Sequence, residues 1–306
     1  MPMPCRGGVT RLLLLISLLG GCAGRQVSTS PPAPAVARQA LVRDGLRTSE
    51  LAGALGTLRF FEGGRKGGDT LVLLHGMNRQ SGDWQALVPV LRRKYSLLLL
   101  DLPGHGESGP QTGPLPVSDL AVAVGALIDA RRPGQKVTLI GNSLGGWVAL
   151  LYAAQHPERV ERVIGVDSSG IYAPLAVPMQ PKNRDEARVL AAAIRGPHVP
   201  VPDDAALDAM LRSVAEGPGQ RVVAGLRATD FLESHVADLH VPVDLIWGEE
   251  DGVLPLAYGQ RLASLIPGAQ MHVLPACGHM PEVFCAESLA VELEAVLAAR
   301  RTGGQP

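Results

Sequence analysis

The stretch LIGNSLGGW, Leu139 to Trp147, sets one serine among glycines at a change of local structure. Val137 to Ile140 are β-formers, and an alanine-rich helical pattern runs from Leu144 to Gln155. Gly141-Asn142-Ser143-Leu144-Gly145 therefore reads as G-x-S-x-G in a strand-turn-helix context, the setting that gives the motif its meaning. A sharp turn crowds its flanks, so glycines two before and two after the serine leave it room. Ser143 then stands at a helix N-terminus, where backbone N–H groups and the helix dipole favour developing negative charge. The plainer alternative is that the glycines only let strand and helix pack closely, or that they cradle a phosphate. A phosphate loop would carry G-K-[ST] and a dinucleotide loop G-x-G-x-x-G, and neither occurs here.

A serine hydroxyl is a weak nucleophile at neutral pH; it needs a base within hydrogen-bond reach and a third group to orient that base. Both are available downstream, in the order serine, acid, histidine. LIWGEEDGVLP, Leu245 to Pro255, places Asp251 in a loop after a predicted strand, and LPACGHMPE, Leu274 to Glu282, places His279 after the last one. Glu249 and Glu250 stand beside Asp251, and Asp167 follows an earlier strand. Asp251 is the expected acid, because a turn leaving Trp247-Gly248 carries its fourth residue back toward the histidine loop, and a short side chain fixes the imidazole more tightly than a glutamate would.

With these residues in place, the body from about Thr57 to Leu297 resembles the α/β-hydrolase family. LLHGM, Leu73 to Met77, is similar to the family's His-Gly loop, which makes the backbone N–H groups of Met77 and Leu144 the expected oxyanion hole. DLPGHGES, Asp101 to Ser108, resembles the loop after the next strand. The D-G-V-L-P run after the acid also fits the family pattern. One departure stands out: many relatives carry a glutamate five residues after the histidine, where this chain has Phe284. Serine as nucleophile sets the chain apart from the dehalogenase and epoxide-hydrolase branches, which use aspartate.

The rest of the chain fits an α/β class, a mainly parallel central sheet flanked by helices with a helical cap insertion. Predicted strands are 57–62, 71–74, 96–100, 137–140, 163–166, 243–247 and 271–274; predicted helices are 84–94, 117–131, 144–155, 258–266 and 287–300. Between residue 170 and about 238 the strand signals stop, and 185–195 and 204–215 read as helices. The expected organisation is a core of 41–170 and 239–301 with a cap at 171–238, placed over strand ends where loops carry function. His75 and His105, in the two glycine loops, are expected to brace those loops. His156, His198, His235 and His240 show no metal-ligand spacing.

The start of the chain reads as an address. Arg6 and Arg11 precede the apolar run Leu12 to Leu19, which is too short to span a bilayer and ends in LGGC. That ending resembles the lipobox of bacterial lipoproteins, implying a signal peptide at 1–21, Cys22 as the lipidated first residue, and membrane attachment through its acyl chains. Ala23 follows the cysteine where an aspartate would mark inner-membrane retention, so the resemblance implies an outer-membrane lipoprotein facing the periplasm. Residues 22–40, rich in proline, serine and alanine, read as a disordered tether. Cys277 and Cys285 are an even pair in an oxidising compartment; a disulfide and two free thiols both stay open, since relatives often carry an unpaired residue at the first position.

With 28 basic residues, 29 acidic and a formal net charge of −1, the chain lacks the basic surface of a nucleic-acid binder. The expected activity is hydrolysis of small-molecule or lipid carboxylic esters through an acyl-enzyme, with no cofactor and no metal. GNSLGG is also similar to the motif of carbon–carbon hydrolases that act on ring-cleavage products, the rival chemistry. A non-catalytic, ligand-binding envelope lipoprotein is the third reading.

Overall fold

The computed structural model describes residues 32–299. The leader, the lipidation candidate Cys22, residues 22–31 of the tether, and residues 300 and 301 of the expected core lie outside the described residues. Eight strands form one sheet: β1 (Arg47–Gly53), β2 (Gly56–Gly64), β3 (Thr70–Leu74), β4 (Ser96–Leu100), β5 (Val137–Asn142), β6 (Val160–Val166), β7 (Val243–Gly248) and β8 (Gln270–Leu274). Their spatial order is β1-β2-β4-β3-β5-β6-β7-β8. The six strands from β4 to β8 in that order run parallel, while β1 and β2 form an antiparallel ribbon at one edge.

Helices cover both faces: α1 (Pro34–Arg43), α2 (Val88–Leu91), α3 (Val117–Arg131), α4 (Leu144–Gln155), α5 (Arg184–Arg195), α6 (Asp204–Glu216), α7 (Gly219–Gly225), α8 (Leu256–Leu265), α9 (Pro281–Phe284) and α10 (Ala286–Ala299). The two faces follow from strand periodicity, because successive side chains point to opposite sides. In β3, Val72 and Leu74 join the cluster under α3, α4 and α8, whereas Leu71 and Leu73 join the one under α1, α2 and α10. A strand buried on both sides has to be apolar at every position, and β3 and β4, TLVLL and SLLLL, are nearly so.

Three differences from the sequence reading have physical causes. The tether does not reach residue 40: α1 occupies 34–43, and Ala37 and Leu41, four apart on one helix face, are buried. The proline and alanine content that reads as linker is here a helix with Pro34 at its first position, where a missing N–H costs nothing. The predicted helix at 84–94 is a 3₁₀ turn (Ser81–Ala86) followed by the short α2, with Pro89 in the first turn of α2. Strand β1, RTSELAG, shows no clean alternation because as an edge strand it is half exposed.

The parallel arrangement puts the C-terminal ends of β3, β5, β6, β7 and β8 along one edge of the sheet. The loops leaving those ends carry Met77, Ser143, Asp167, Asp251 and His279. Residues 171–238, between β6 and β7, hold α5, α6, α7 and three 3₁₀ turns (Ala228–Asp230, Leu232–Ser234 and Val236–Asp238) above that edge. Among the described residues no helix is long and apolar enough to cross a membrane.

Candidate active site

The turn at Ser143 is as tight as the motif demands. Ser143 has φ 51° and ψ −115°, a region that costs a side-chain-bearing residue about 1–3 kcal/mol. The glycines make it possible. A Cβ on Gly141 would lie 2.3 Å from the carbonyl of Gly145, and one on Gly145 would lie 2.3 Å from the carbonyl oxygen of Leu74. These glycines therefore let the first turn of α4 sit directly on the ends of β5 and β3. Gly146, the third glycine, makes room for the Ser168 hydroxyl, which would lie 2.4 Å from an added Cβ.

The structure brings Ser143, Asp251 and His279 together. His279 Nε2 lies 3.0 Å from Ser143 Oγ, and His279 Nδ1 lies 2.7 Å from Asp251 Oδ2. Asp251 Oδ1 accepts from the amides of Val253 and Leu254 at 2.8 and 2.9 Å, so its second oxygen is left to the imidazole. Both Asp251 and His279 are buried, and Ser143 is partly open. A base whose far nitrogen rests on a carboxylate keeps its near nitrogen as the acceptor, which is the tautomer that removes a proton from serine.

Leu144, which donates the first amide after the serine, opens α4, and the loop bearing Met77 runs alongside. A Cβ on Gly76 would meet Asn142 Oδ1 at 2.8 Å and Ser143 Cβ at 3.5 Å. His75 and His105 are neutral braces of that region. His75 Nδ1 donates to the Gly76 carbonyl at 2.8 Å while its Nε2 accepts from the Leu102 amide at 3.0 Å. Burial lowers the pKa of His75, and burial with the neighbouring His75 brings His105 down to about 3.

Several residues that the sequence reading left aside hold the site. Asn142, the variable position of the motif, donates through Nδ2 to the His279 carbonyl at 3.0 Å, tying the nucleophile strand to the histidine loop. Asn78, at φ 58°, accepts through Oδ1 from the Gly219 amide at 2.7 Å, joining the residue after Met77 to the start of α7. The C-terminal carbonyls of α5 are taken by the other two loops: Gly252 N donates to Ala193 O at 3.0 Å, and His279 N to Ile194 O at 2.8 Å. Nothing in the sequence marks these links except the motif position of Asn142.

The histidine loop is also closed by chemistry of its own. Cys277 and Cys285 form a disulfide with Cα atoms 5.9 Å apart, resolving the choice that the sequence left open. Phe284, where relatives carry glutamate, lies under the Arg195 guanidinium at 5.0 Å. The buried acid here is Glu282, two residues earlier; burial, then the nearby Asp83 carboxylate, pushes its pKa up to about 8. Arg79 is held by Asp83 through two hydrogen bonds of 2.7 and 2.8 Å.

Among the described residues, one group of histidine and carboxylate side chains converges as metal ligands do: Asp167, Asp251 and His279, with one ligand atom from each mutually within 4.8 Å. The donors of that group are already committed. Asp251 and both His279 nitrogens have the partners given above, and Asp167 Oδ1 accepts from the Gly248 amide at 2.8 Å. Of these oxygens and nitrogens only Asp167 Oδ2 is without a partner.

The chain is similar to several known hydrolases. The chain is 31% identical over 239 residues to a pimeloyl-[acyl-carrier protein] methyl ester esterase of Edwardsiella ictaluri, covering 71% of this chain and 90% of that one. It is 28% identical over 234 residues to a 2-hydroxy-6-oxononadienedioate/2-hydroxy-6-oxononatrienedioate hydrolase of Cupriavidus pinatubonensis, covering 70% and 81%. A solved membrane phospholipase A, described as a bacterial virulence factor, superposes with a TM-score of 0.76 at 26% identity over 87% of this chain and 90% of that one. Residues 71–288 match the alpha/beta hydrolase family, and the chain belongs to it.

Proposed function

We propose that the protein is a serine hydrolase of carboxylic esters that works through an acyl-enzyme. The observation that carries this reading is the unbroken run of contacts from Ser143 Oγ through His279 to Asp251 beneath a strained turn. In the first half-reaction Ser143 Oγ attacks the ester carbonyl while His279 Nε2 takes the hydroxyl proton. The amides of Met77 and Leu144 hold the oxyanion, a contribution worth about 10²- to 10³-fold in rate per donor. His279 returns the proton to the departing alkoxide, and the acyl group stays on Ser143. Water then repeats the sequence, releasing the acid and restoring the serine. Asp251 keeps its charge throughout and holds the ring.

The methyl ester esterase and the phospholipase among the relatives support an ester as the bond cleaved. The 2-hydroxy-6-oxononadienedioate/2-hydroxy-6-oxononatrienedioate hydrolase among the relatives supports the rival carbon–carbon chemistry. Turnover of p-nitrophenyl esters of graded chain length beside a ring-cleavage product separates them: ester turnover with the ring-cleavage product left intact supports the proposal, and the reverse contradicts it. We place the enzyme at the bacterial envelope, anchored through lipid on Cys22, on the resemblance of LGGC to a lipobox. Cys22→Ser is expected to leave the membrane fraction or to remain unprocessed, and parental fractionation with parental maturation would contradict the anchor.

A further inference from the structure

The carboxyl of Asp167 is fully buried beside the triad, and the proposed chemistry gives it nothing to do. Its backbone has φ 45°, a conformation that L-residues seldom adopt. Its amide donates to the Ile246 carbonyl at 2.9 Å, and its Oδ1 accepts from Gly248 N at 2.8 Å, so β7 grips it at both ends. The side chain is thereby aimed, and Oδ2 is left buried without a partner among the described residues, in the group where Asp167, Asp251 and His279 converge within 4.8 Å.

Two buried carboxylates this close repel, and the one imidazole beside them already donates its Nδ1–H to Asp251. The donors decide which acid keeps the charge. Asp251 accepts from two backbone amides and the imidazole, whereas Asp167 accepts from one amide. A proton on Oδ2 of Asp167 removes the repulsion and supplies a partner for an oxygen that otherwise has none.

We propose that Asp167 is a positioning residue of the triad: a neutral acid whose hydroxyl donates to the Asp251 carboxylate and holds it in the orientation that meets His279. Burial, and after it the Asp251 charge, pushes the Asp167 carboxyl well above the usual carboxylate range, in the direction this role requires. Glu282, itself buried, adds to that push from α9. Asparagine has the same shape and can make both bonds, its carbonyl accepting from Gly248 and its amide donating to Asp251. Alanine and leucine can make neither.

The inference rests on the triad of the proposed function, and its test uses a reagent indifferent to the natural substrate. The rate of Ser143 modification by a fluorophosphonate, split into the maximal rate and the reagent's half-saturation, is measured for the parent, Asp167→Asn, Asp167→Ala, Asp167→Leu, Asp251→Asn and the double variant Asp167→Ala with Asp251→Asn. Folding is checked by thermal melting; leucine fills the space that alanine empties. If the parent is not labelled at Ser143, the triad itself fails. With labelling present, Asp167→Ala and Asp167→Leu are expected to lower the maximal rate about tenfold or more with half-saturation unchanged. Asp167→Asn is expected to stay within about threefold of the parent. Because Asp167 acts through Asp251, adding Asp167→Ala to Asp251→Asn should change the rate by less than about twofold. A parental rate in the alanine and leucine variants, a tenfold loss in Asp167→Asn, or a full additional loss in the double variant would each overturn the proposal. Should alanine and leucine fail to fold, the asparagine result alone decides.

Discussion

The sheet edge and the outer part of the cap are built with different strength. At the edge, five loops leave parallel strands, all but β8 buried, and hydrogen bonds pin the active-site groups: Asp251 by two backbone amides, Asp167 by one, and the His279 carbonyl by the side-chain amide of Asn142. In the cap, α5 and α6 share a small apolar cluster of Ala187, Ala191 and Leu207, and their outer surfaces meet through exposed ion pairs such as Arg184 with Asp204 and Asp208. Chemistry needs sub-ångström placement, which buried backbone contacts supply. Selection of a substrate tolerates an adaptable cover. The division is not complete, however, since the end of α5 accepts the amides of Gly252 and His279, and the Gly219 amide at the start of α7 donates to Asn78. Excising 171–238 would therefore disturb the chemistry as well as the fit of the substrate, and point substitutions probe the cap more cleanly.

The sharpest break of this contrast lies at Asp251. Asp251→Asn, read as kcat on a small activated ester, is expected to lose about 10⁴-fold while remaining folded, because the amide favours the wrong tautomer of His279. A loss of only a few-fold would mean that the imidazole is oriented by something other than this loop.

Glu282 tests the energetics under the histidine loop. Its folded pKa is raised to about 8 from 4.5, so the folded protein keeps a proton that the unfolded chain sheds as pH rises through that interval. Stability from this group is full below about pH 4.5, declines toward pH 8 and is flat above it. Glu282→Gln should remove the decline, making the variant more stable than the parent at pH 8 by an amount bounded at about 5 kcal/mol, and much closer to it at pH 4. Urea titrations at the two pH values check this.

Where cap and core meet, Asn78→Ala is expected to cost at least about 1 kcal/mol in chemical denaturation, through loss of the bond from the Gly219 amide. On the outer cap, Arg184→Ala should leave the melting temperature and the kcat on a small ester unchanged within error. A larger effect there would show that the cap is as tightly coupled as the core.

The same contrast explains what the sequence discloses. Strands β3 to β7 were legible because burial on both faces forces apolar runs, and Ser143 and Asp251 because each follows such a run by a short turn; β8 is a mostly exposed edge strand, and His279 was legible through the LPACGHMPE stretch that follows it. The strained turn was legible through glycines whose hydrogens fill space that no side chain could. Strand β1 and helix α1 were not, since an edge strand loses its alternation and a short helix that packs by Ala37 and Leu41 has the composition of a linker. The role we assign to Asp167 was hidden for another reason. It depends on one oxygen having no partner, a fact of three dimensions, and in the sequence Asp167 reads only as a competing acid.

The proposed chemistry turns on Ser143 being the group that becomes acylated. It is tested most directly by exposing the protein briefly to a fluorophosphonate, digesting it, and locating the added mass by tandem mass spectrometry, with Ser143→Ala treated alongside. One adduct per chain is expected, on the peptide containing Gly141 to Gly145 and assigned to Ser143, and none in the variant. An adduct on another residue, or equal labelling of Ser143→Ala, would contradict it.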